Sequence, residues 1–143
     1  MPVLRLFLDA NILFLAGYST SSPVHDLLQL ARAGRCTVVG SAYAIEEARR
    51  NLAAKGPLDA LPRFHAALAD VTLVGEAGAA ALEAASAVNL NDPADVPILA
   101  AAIQSQADVL VTGDRRAFGP HFGTRIAGVE VMILREALRR VLG

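Results

Sequence analysis

The sequence predicts an α/β fold, a three-layer α/β/α sandwich with a central, mostly parallel five-stranded sheet, and three observations carry that prediction. Short apolar runs recur along the chain and are nearly continuous in Val, Leu and Ile rather than alternating with polar residues, the pattern of strands covered on both faces. Between these runs lie segments with helical spacing, opened and closed by capping residues. The length, 143 residues with 54% hydrophobic side chains, suits one globular domain over residues 1–143 with a large core.

The first strand is predicted over Val3–Leu8 and stops at Asp9. A helix over Val24–Ala33 follows, with Val24, Leu27, Leu28 and Ala31 on one stripe and Gly34 just beyond its end. Cys36–Val39 is the second strand. Ser41 suits the N-cap of a helix over Ala42–Ala54, which Gly56-Pro57 closes. A helix over Leu58–Ala69 leads to a third strand, Val71–Val74, and then to an Ala-rich helix over Ala77–Val88 that Gly78 weakens. The helix over Asp95–Gln106 carries Pro97 in its first turn, where amide N–H groups have no intrahelical acceptor. Strands over Val109–Thr112 and Val129–Ile133 and a helix over Leu134–Leu142 complete the chain.

Composition narrows the function classes. A net charge of -1 and a mean hydropathy of +0.43 exclude a disordered chain. Near-neutral charge argues against nucleic-acid binding by bulk attraction, yet allows a local positive rim around a metal-bearing cleft. All basic residues except Lys55 are Arg, the better fork for phosphate. No apolar run reaches the roughly 18 residues of a membrane span, and Arg5 and Asp9 interrupt the amino-terminal run before a signal-peptide core forms. Cys36 is the only cysteine and sits in an apolar run, so it reads as a small buried hydrophobe in a cytoplasmic protein. His25, His65 and His121 have no catalytic partner in sequence, and Ser41 and Ser105 lack a Gly-x-Ser-x-Gly setting.

The chemistry lies with the carboxylates. Asp9 ends the first strand, Asp114 follows the Val109–Thr112 strand by a Gly113 turn, and Asp95 opens the helix before that strand. Ligand sites of open parallel sheets lie outside the carboxyl ends of the strands, where strand order reverses. Glu46 and Glu47 lie on the helix that Ser41 caps at the same edge. Taken singly, Asp92 and Asp95 also suit caps or turns, and Asp114 suits a turn. Asp9 is different, because a carboxylate directly after Leu-Arg-Leu-Phe-Leu is drawn into the sheet edge and needs a partner. Several acids converging without a nearby Lys or His raise one another's pKa, and a hard divalent cation relieves that repulsion.

The stretches Leu8-Asp9-Ala10-Asn11-Ile12-Leu13, Ser41 through Glu47-Ala48-Arg49-Arg50-Asn51-Leu52, Asp95-Val96-Pro97-Ile98-Leu99-Ala100 and Ala107-Asp108-Val109-Leu110-Val111-Thr112-Gly113-Asp114 resemble the successive motifs of PIN-domain nucleases. The resemblance spans most of the chain, with Lys55 to Asn91 least characteristic. It implies Asp9, Glu47, Asp95 and Asp114 as catalytic metal ligands, with Asn11 and Thr112 as supporting polar neighbours. Glu46 competes with Glu47, and Asp92 with Asp95, for two of those places. Implied too are one or two Mg²⁺ or Mn²⁺ ions, a single-stranded RNA substrate and cleavage to 5′-phosphate and 3′-hydroxyl ends. The family includes VapC-type toxins of bacterial toxin–antitoxin pairs, which form homodimers and are silenced by a small antitoxin, and the length here suits that type. Arg115 and Arg116 follow Asp114 and are candidates for substrate binding, although an exposed Arg pair also suits a solvated face.

Three alternatives stand beside this reading. A phosphoryl-accepting domain of the phosphatase type wants a second Asp two residues after the first, where this chain has Asn11, and one of the receiver type wants a late Lys, whereas the only Lys is Lys55. A PIN-like module that binds RNA or protein without cutting differs from the enzyme in its response to metal. A stand-alone RNA-processing nuclease shares the chemistry but not the antitoxin.

Overall fold

The computed structural model describes residues 2–143. Its strands are β1 (Arg5–Leu8), β2 (Thr37–Ser41), β3 (Thr72–Val74), β4 (Val109–Val111), β5 (Arg125–Ile126) and β6 (Val129–Met132). They form one sheet in the order β3-β2-β1-β4-β6-β5, parallel throughout except for β5, which runs antiparallel to β6. The helices are α1 (Ala10–Tyr18), α2 (Val24–Arg32), α3 (Ala42–Lys55), α4 (Ala60–Ala67), α5 (Ala79–Ser86), α6 (Val96–Gln104), α7 (Arg115–Phe118) and α8 (Leu134–Leu142).

Successive strand residues point to opposite faces. Leu6, Phe7 and Leu8 are each fully buried, as are Leu110 and Val111, so helices cover both faces of the sheet at its centre. That is the expected α/β/α sandwich. At the edge, β3 is half open to solvent, and Leu73 is 63% exposed. On the helical layers α1 packs on α3 and α4, α5 on α6, and α2 on α8. The α2 end follows the sequence signal: Gly34 takes φ 78°, and Arg35 N donates to Leu30 O at 2.8 Å, closing the helix as a left-handed cap does.

Three elements escape the sequence reading. The sheet has six strands rather than five, because Arg125–Ile126 folds back on β6 through the two-residue turn Ala127-Gly128. Both turn residues have positive φ, 51° and 88°, the backbone that a tight two-residue hairpin requires and that Gly supplies without strain. The second is α1, which is apolar nearly all the way round and so shows no stripe. The third is α7, a single turn capped by Asp114.

Close packing of α1 turns on Gly17. A Cβ there would stand 2.6 Å from Leu52 Cδ1, 2.9 Å from the Ala60 carbonyl oxygen and 2.9 Å from Phe64 Cβ. One of those atoms is backbone and cannot swing away. Gly17→Ala therefore lowers stability by on the order of 1–3 kcal/mol, although Ala is the better helix former by about 1 kcal/mol. Urea denaturation checks this; a midpoint at or above that of the wild type would refute the packing argument.

Candidate active site

The chain leaves β1 and turns back on one side of it to β2 and β3, while β4 lies on the other side, so strand order reverses between β1 and β4. Asp9 is the residue after β1 and Thr112 the residue after β4, which puts both at the mouth of that crevice. Asp9 N also donates to Val111 O at 3.0 Å, so the two strand ends are joined by backbone as well.

Asp9 is 2% exposed, and its carboxylate is held by three donors. The Ala10 amide donates to Oδ1 at 2.7 Å, which makes Asp9 the N-cap of α1. Thr112 Oγ1 donates to Oδ2 at 2.8 Å and Asn11 Nδ2 to the same oxygen at 3.1 Å. Asn11 also accepts from the Gly113 amide at 2.8 Å, and Thr112 Oγ1 accepts from the Asp114 amide at 3.0 Å. Asn11 and Thr112 are thus both in contact with Asp9 and fix the loop that carries Asp114. Burial, above all, pushes the Asp9 carboxyl above its usual range and the charge of Glu47 adds to this, while the bonds from Thr112, Ala10 and Asn11 pull it back.

Asp95 closes the 3₁₀ turn Pro93–Asp95 and stands directly before α6. Its Oδ2 is buried and has no hydrogen-bond partner. Burial first, then the charges of Asp9, Asp114, Asp92 and Glu47, push its pKa from 3.8 to about 7. Those causes place Asp95 within electrostatic reach of every candidate acid except Glu46. Asp92 is exposed and caps the turn, its Oδ1 accepting from Ala94 N at 2.9 Å. On α3, Glu46 is exposed and tied to Arg49 Nε at 2.8 Å, whereas Glu47 is half-buried and its charge raises the carboxyls of both Asp9 and Asp95. Asp114 caps α7, its Oδ1 accepting from Arg116 N and Ala117 N at 3.1 and 3.0 Å.

Asp9, Glu47, Asp95 and Asp114 take part in none of the ion pairs among the described residues, although the acids Glu46, Asp59, Asp70, Glu130 and Glu136 all do. Among the described residues no three of His, Cys, Asp or Glu are already set to hold a metal. Like charges without a counterion keep apart, and both oxygens of Asp9 are engaged by protein donors. The donor set nonetheless fits a hard cation: it is all oxygen, and the bare Oδ2 of Asp95 is a buried acceptor that lacks a positive partner.

The two candidate substrate arginines part company. Arg116 lines a recess with Asn91, Asp92, Asp114 and Ala117, while Arg115 lines a separate cavity with Phe122 and Met132. Sequence reasoning left two further residues unassigned. Tyr43 donates to Ala94 O at 3.2 Å and so pins α3 to the turn that carries Asp95. Asn91 Nδ2 donates to Arg116 O at 2.5 Å, joining that turn to α7. An aromatic residue two after an N-cap Ser was the one available signal for Tyr43. Cys36 is buried, and burial pushes its thiol up, as suits a structural residue.

A model of the PIN domain matches residues 5–116, and the chain belongs to that family. No curated protein matches it in sequence. Among solved structures its fold is similar to VapBC2 from Rickettsia felis, bound to a DNA fragment from their promoter, with TM-score 0.67, 16% identity, and 91% of this chain and 98% of that one covered. PAE2754 from Pyrobaculum aerophilum matches with TM-score 0.69 and 18% identity over 97% of this chain and 96% of that one. VapC20 from Mycobacterium tuberculosis, a sarcin–ricin loop cleaving toxin, matches with TM-score 0.52 and 16% identity over 76% and 91%. Identities this low carry the fold alone.

Because the folded protein keeps Asp95 protonated up to about pH 7 while the unfolded chain ionises it near 3.8, stability without divalent cations falls as pH rises through that window. Asp95→Asn removes the ionisation. In a chelating buffer the variant is expected to melt above the wild type at pH 8 and to match it near pH 4. Equal melting temperatures at pH 8 would mean that Asp95 bears no such load.

Proposed function

We propose that this protein is a metal-dependent endoribonuclease of the cytoplasm, the toxin half of a bacterial toxin–antitoxin pair. One observation supports the reading most: Asp95 keeps a buried Oδ2 without a hydrogen-bond partner and is raised by the charges of Asp9, Asp114 and Glu47, acids that enter no ion pair among the described residues, inside a chain of the PIN family. One or two Mg²⁺ or Mn²⁺ ions, when bound, lower the pKa of an attacking water and neutralise charge developing on the phosphoryl oxygens.

Asp9, Glu47, Asp95 and Asp114 are the residues that would hold the ions. Thr112 and Asn11 orient Asp9, and the three donors on its carboxylate keep it from rotating. Asp95 would have to be ionised to serve as a ligand, so metal affinity is expected to weaken as pH falls below about 7. Arg116, beside Asp114 and Asp92, meets the RNA backbone. Water adds to phosphorus and the bond to the 3′ oxygen breaks, leaving 5′-phosphate and 3′-hydroxyl ends. The likeness to VapC20 and to VapBC2 supports RNA as substrate and a small antitoxin as partner. The chain acts as a homodimer. No described helix is long and apolar enough to cross a membrane.

The test is a mixed RNA pool incubated with and without Mg²⁺, with the cut ends sequenced. Cleavage is expected only with metal, at background in Asp9→Asn and Asp95→Asn, and about 10- to 100-fold slower in Thr112→Val, the typical loss when the partner of a ligand is removed. Mn²⁺ is expected to raise the melting temperature of the wild type but not of Asp9→Asn. A protein that neither cuts RNA nor gains stability from Mn²⁺ is the non-catalytic module instead.

A further inference from the structure

We propose that Arg115 and Phe122 form a stacking site for one base of the RNA strand, next to the acidic crevice. The inference rests on the ribonuclease reading for its substrate, and on separate residues for its geometry. Arg115 follows Asp114 directly, and its guanidinium carbon lies 5.6 Å from the centre of the Phe122 ring. The two residues wall a cavity of about 330 Å³ floored by Met132 and Ile133. Met132 ends β6 and is paired in register with Val111, so this floor lies at the same sheet edge as the carboxylates.

Charge decides what kind of group fits. At the far rim stand Glu130, Glu136 and Arg140, and both acids are already neutralised, Glu130 by Arg140 at 3.2 Å and Glu136 by Arg139 at 2.6 Å. Arg115 is exposed and has no ion-pair partner among the described residues. With both acids paired and Arg115 not, the uncompensated charge at the cavity is positive, which repels a cation and leaves a nucleotide, a flat base joined to a phosphate, as the group that uses both the ring and the charge. One face of the base stacks on this ring–guanidinium pair, whose members at 5.6 Å are already in contact and leave no gap between them, and its edge carries both donors and acceptors for a mixed rim.

The platform is set before any ligand arrives. Phe122 bridges to Val131 of β6, the next amide, Gly123 N, donates to Val131 O at 2.8 Å, and the ring is half-buried against the core. A pre-ordered surface loses little freedom on binding. Arg115 and Arg116 are neighbours on α7, about 100° apart around its axis. One faces the base cavity and the other the carboxylate recess, so a strand crossing α7 presents a base to Arg115 and its phosphate to Arg116.

The chain contains no Trp, so Phe122→Trp provides a lone fluorescent reporter in the cavity. Titration with each of the four ribonucleoside 5′-monophosphates is expected to quench it saturably, ribose 5-phosphate is expected to leave it unchanged, and adding Arg115→Ala is expected to weaken the quench. On RNA, Phe122→Leu is expected to raise KM about 5- to 150-fold, the loss that removal of one base–aromatic stack gives, with kcat little changed and the base preference beside the cut flattened. Phe122→Tyr retains the ring and is expected to retain the preference. No quench by any nucleotide, an equal quench by ribose 5-phosphate, or an unaltered preference in Phe122→Leu would each overturn the proposal. Quenching in a protein that cuts no RNA would remove the nuclease reading and leave the base site standing; cutting with no effect of Phe122 would do the reverse.

Discussion

One carboxylate sets the terms for the rest of the structure. Asp9 is almost wholly buried at the end of the central strand, where an unpartnered charge costs several kcal/mol. It is tolerated because three groups converge on it: the first amide of the helix it caps, the hydroxyl of Thr112 and the amide of Asn11. Satisfying Asp9 fixes the start of α1, the neighbouring end of β4 and the Thr112-Gly113-Asp114 loop together. The same bonds that make its burial bearable hold the crevice in shape.

Around Asp9 the protein accumulates negative charge that it leaves uncompensated. Elsewhere five acids, Glu46, Asp59, Asp70, Glu130 and Glu136, are paired with Arg, mostly on exposed surface where such pairs contribute little. In the crevice the charges of Asp9, Asp114, Asp92 and Glu47 bear on Asp95, and its Oδ2 is the one carboxyl oxygen among the described residues that is buried and bare. Local rules are broken at this one place and obeyed around it, which is how a site differs from a scaffold. The scaffold supplies the counterweight: α6, which follows Asp95, buries Ile98, Leu99, Ala100, Ala101 and Ala102, and its small residues let α5 pack against it.

Much of the fold was legible because it is written in residues only a few positions apart. Short, mostly apolar runs mark β1, β2, β4 and β6, Ser41 marks the start of α3 with its hydroxyl on Ala44 N at 3.2 Å, and Gly34 marks the end of α2. The misses share a cause. In α1 nearly every residue is apolar, so no polar side reveals its period, while β5 is a two-residue strand that exists only because β6 lies beside it. In the site, the acids at strand ends were visible, and so were Asn11 and Thr112 as polar neighbours. Tyr43, which ties α3 to the turn carrying Asp95, was not, since an aromatic residue near a motif reads equally well as core.

By itself the sequence determined the alternation of strand and helix, the apolar surface to be buried and the residue types at each strand end, because these follow from local backbone preference and side-chain periodicity. Tertiary structure alone decided that β1 lies beside β4, and with it that Thr112 bonds an aspartate 103 residues away. It also decided that Asp95 holds a proton to about pH 7, and that Arg115 and Arg116 face different cavities. Strand order, burial and the repulsion between distant charges depend on which surfaces meet when the whole core closes, and no local stretch of chain contains that information.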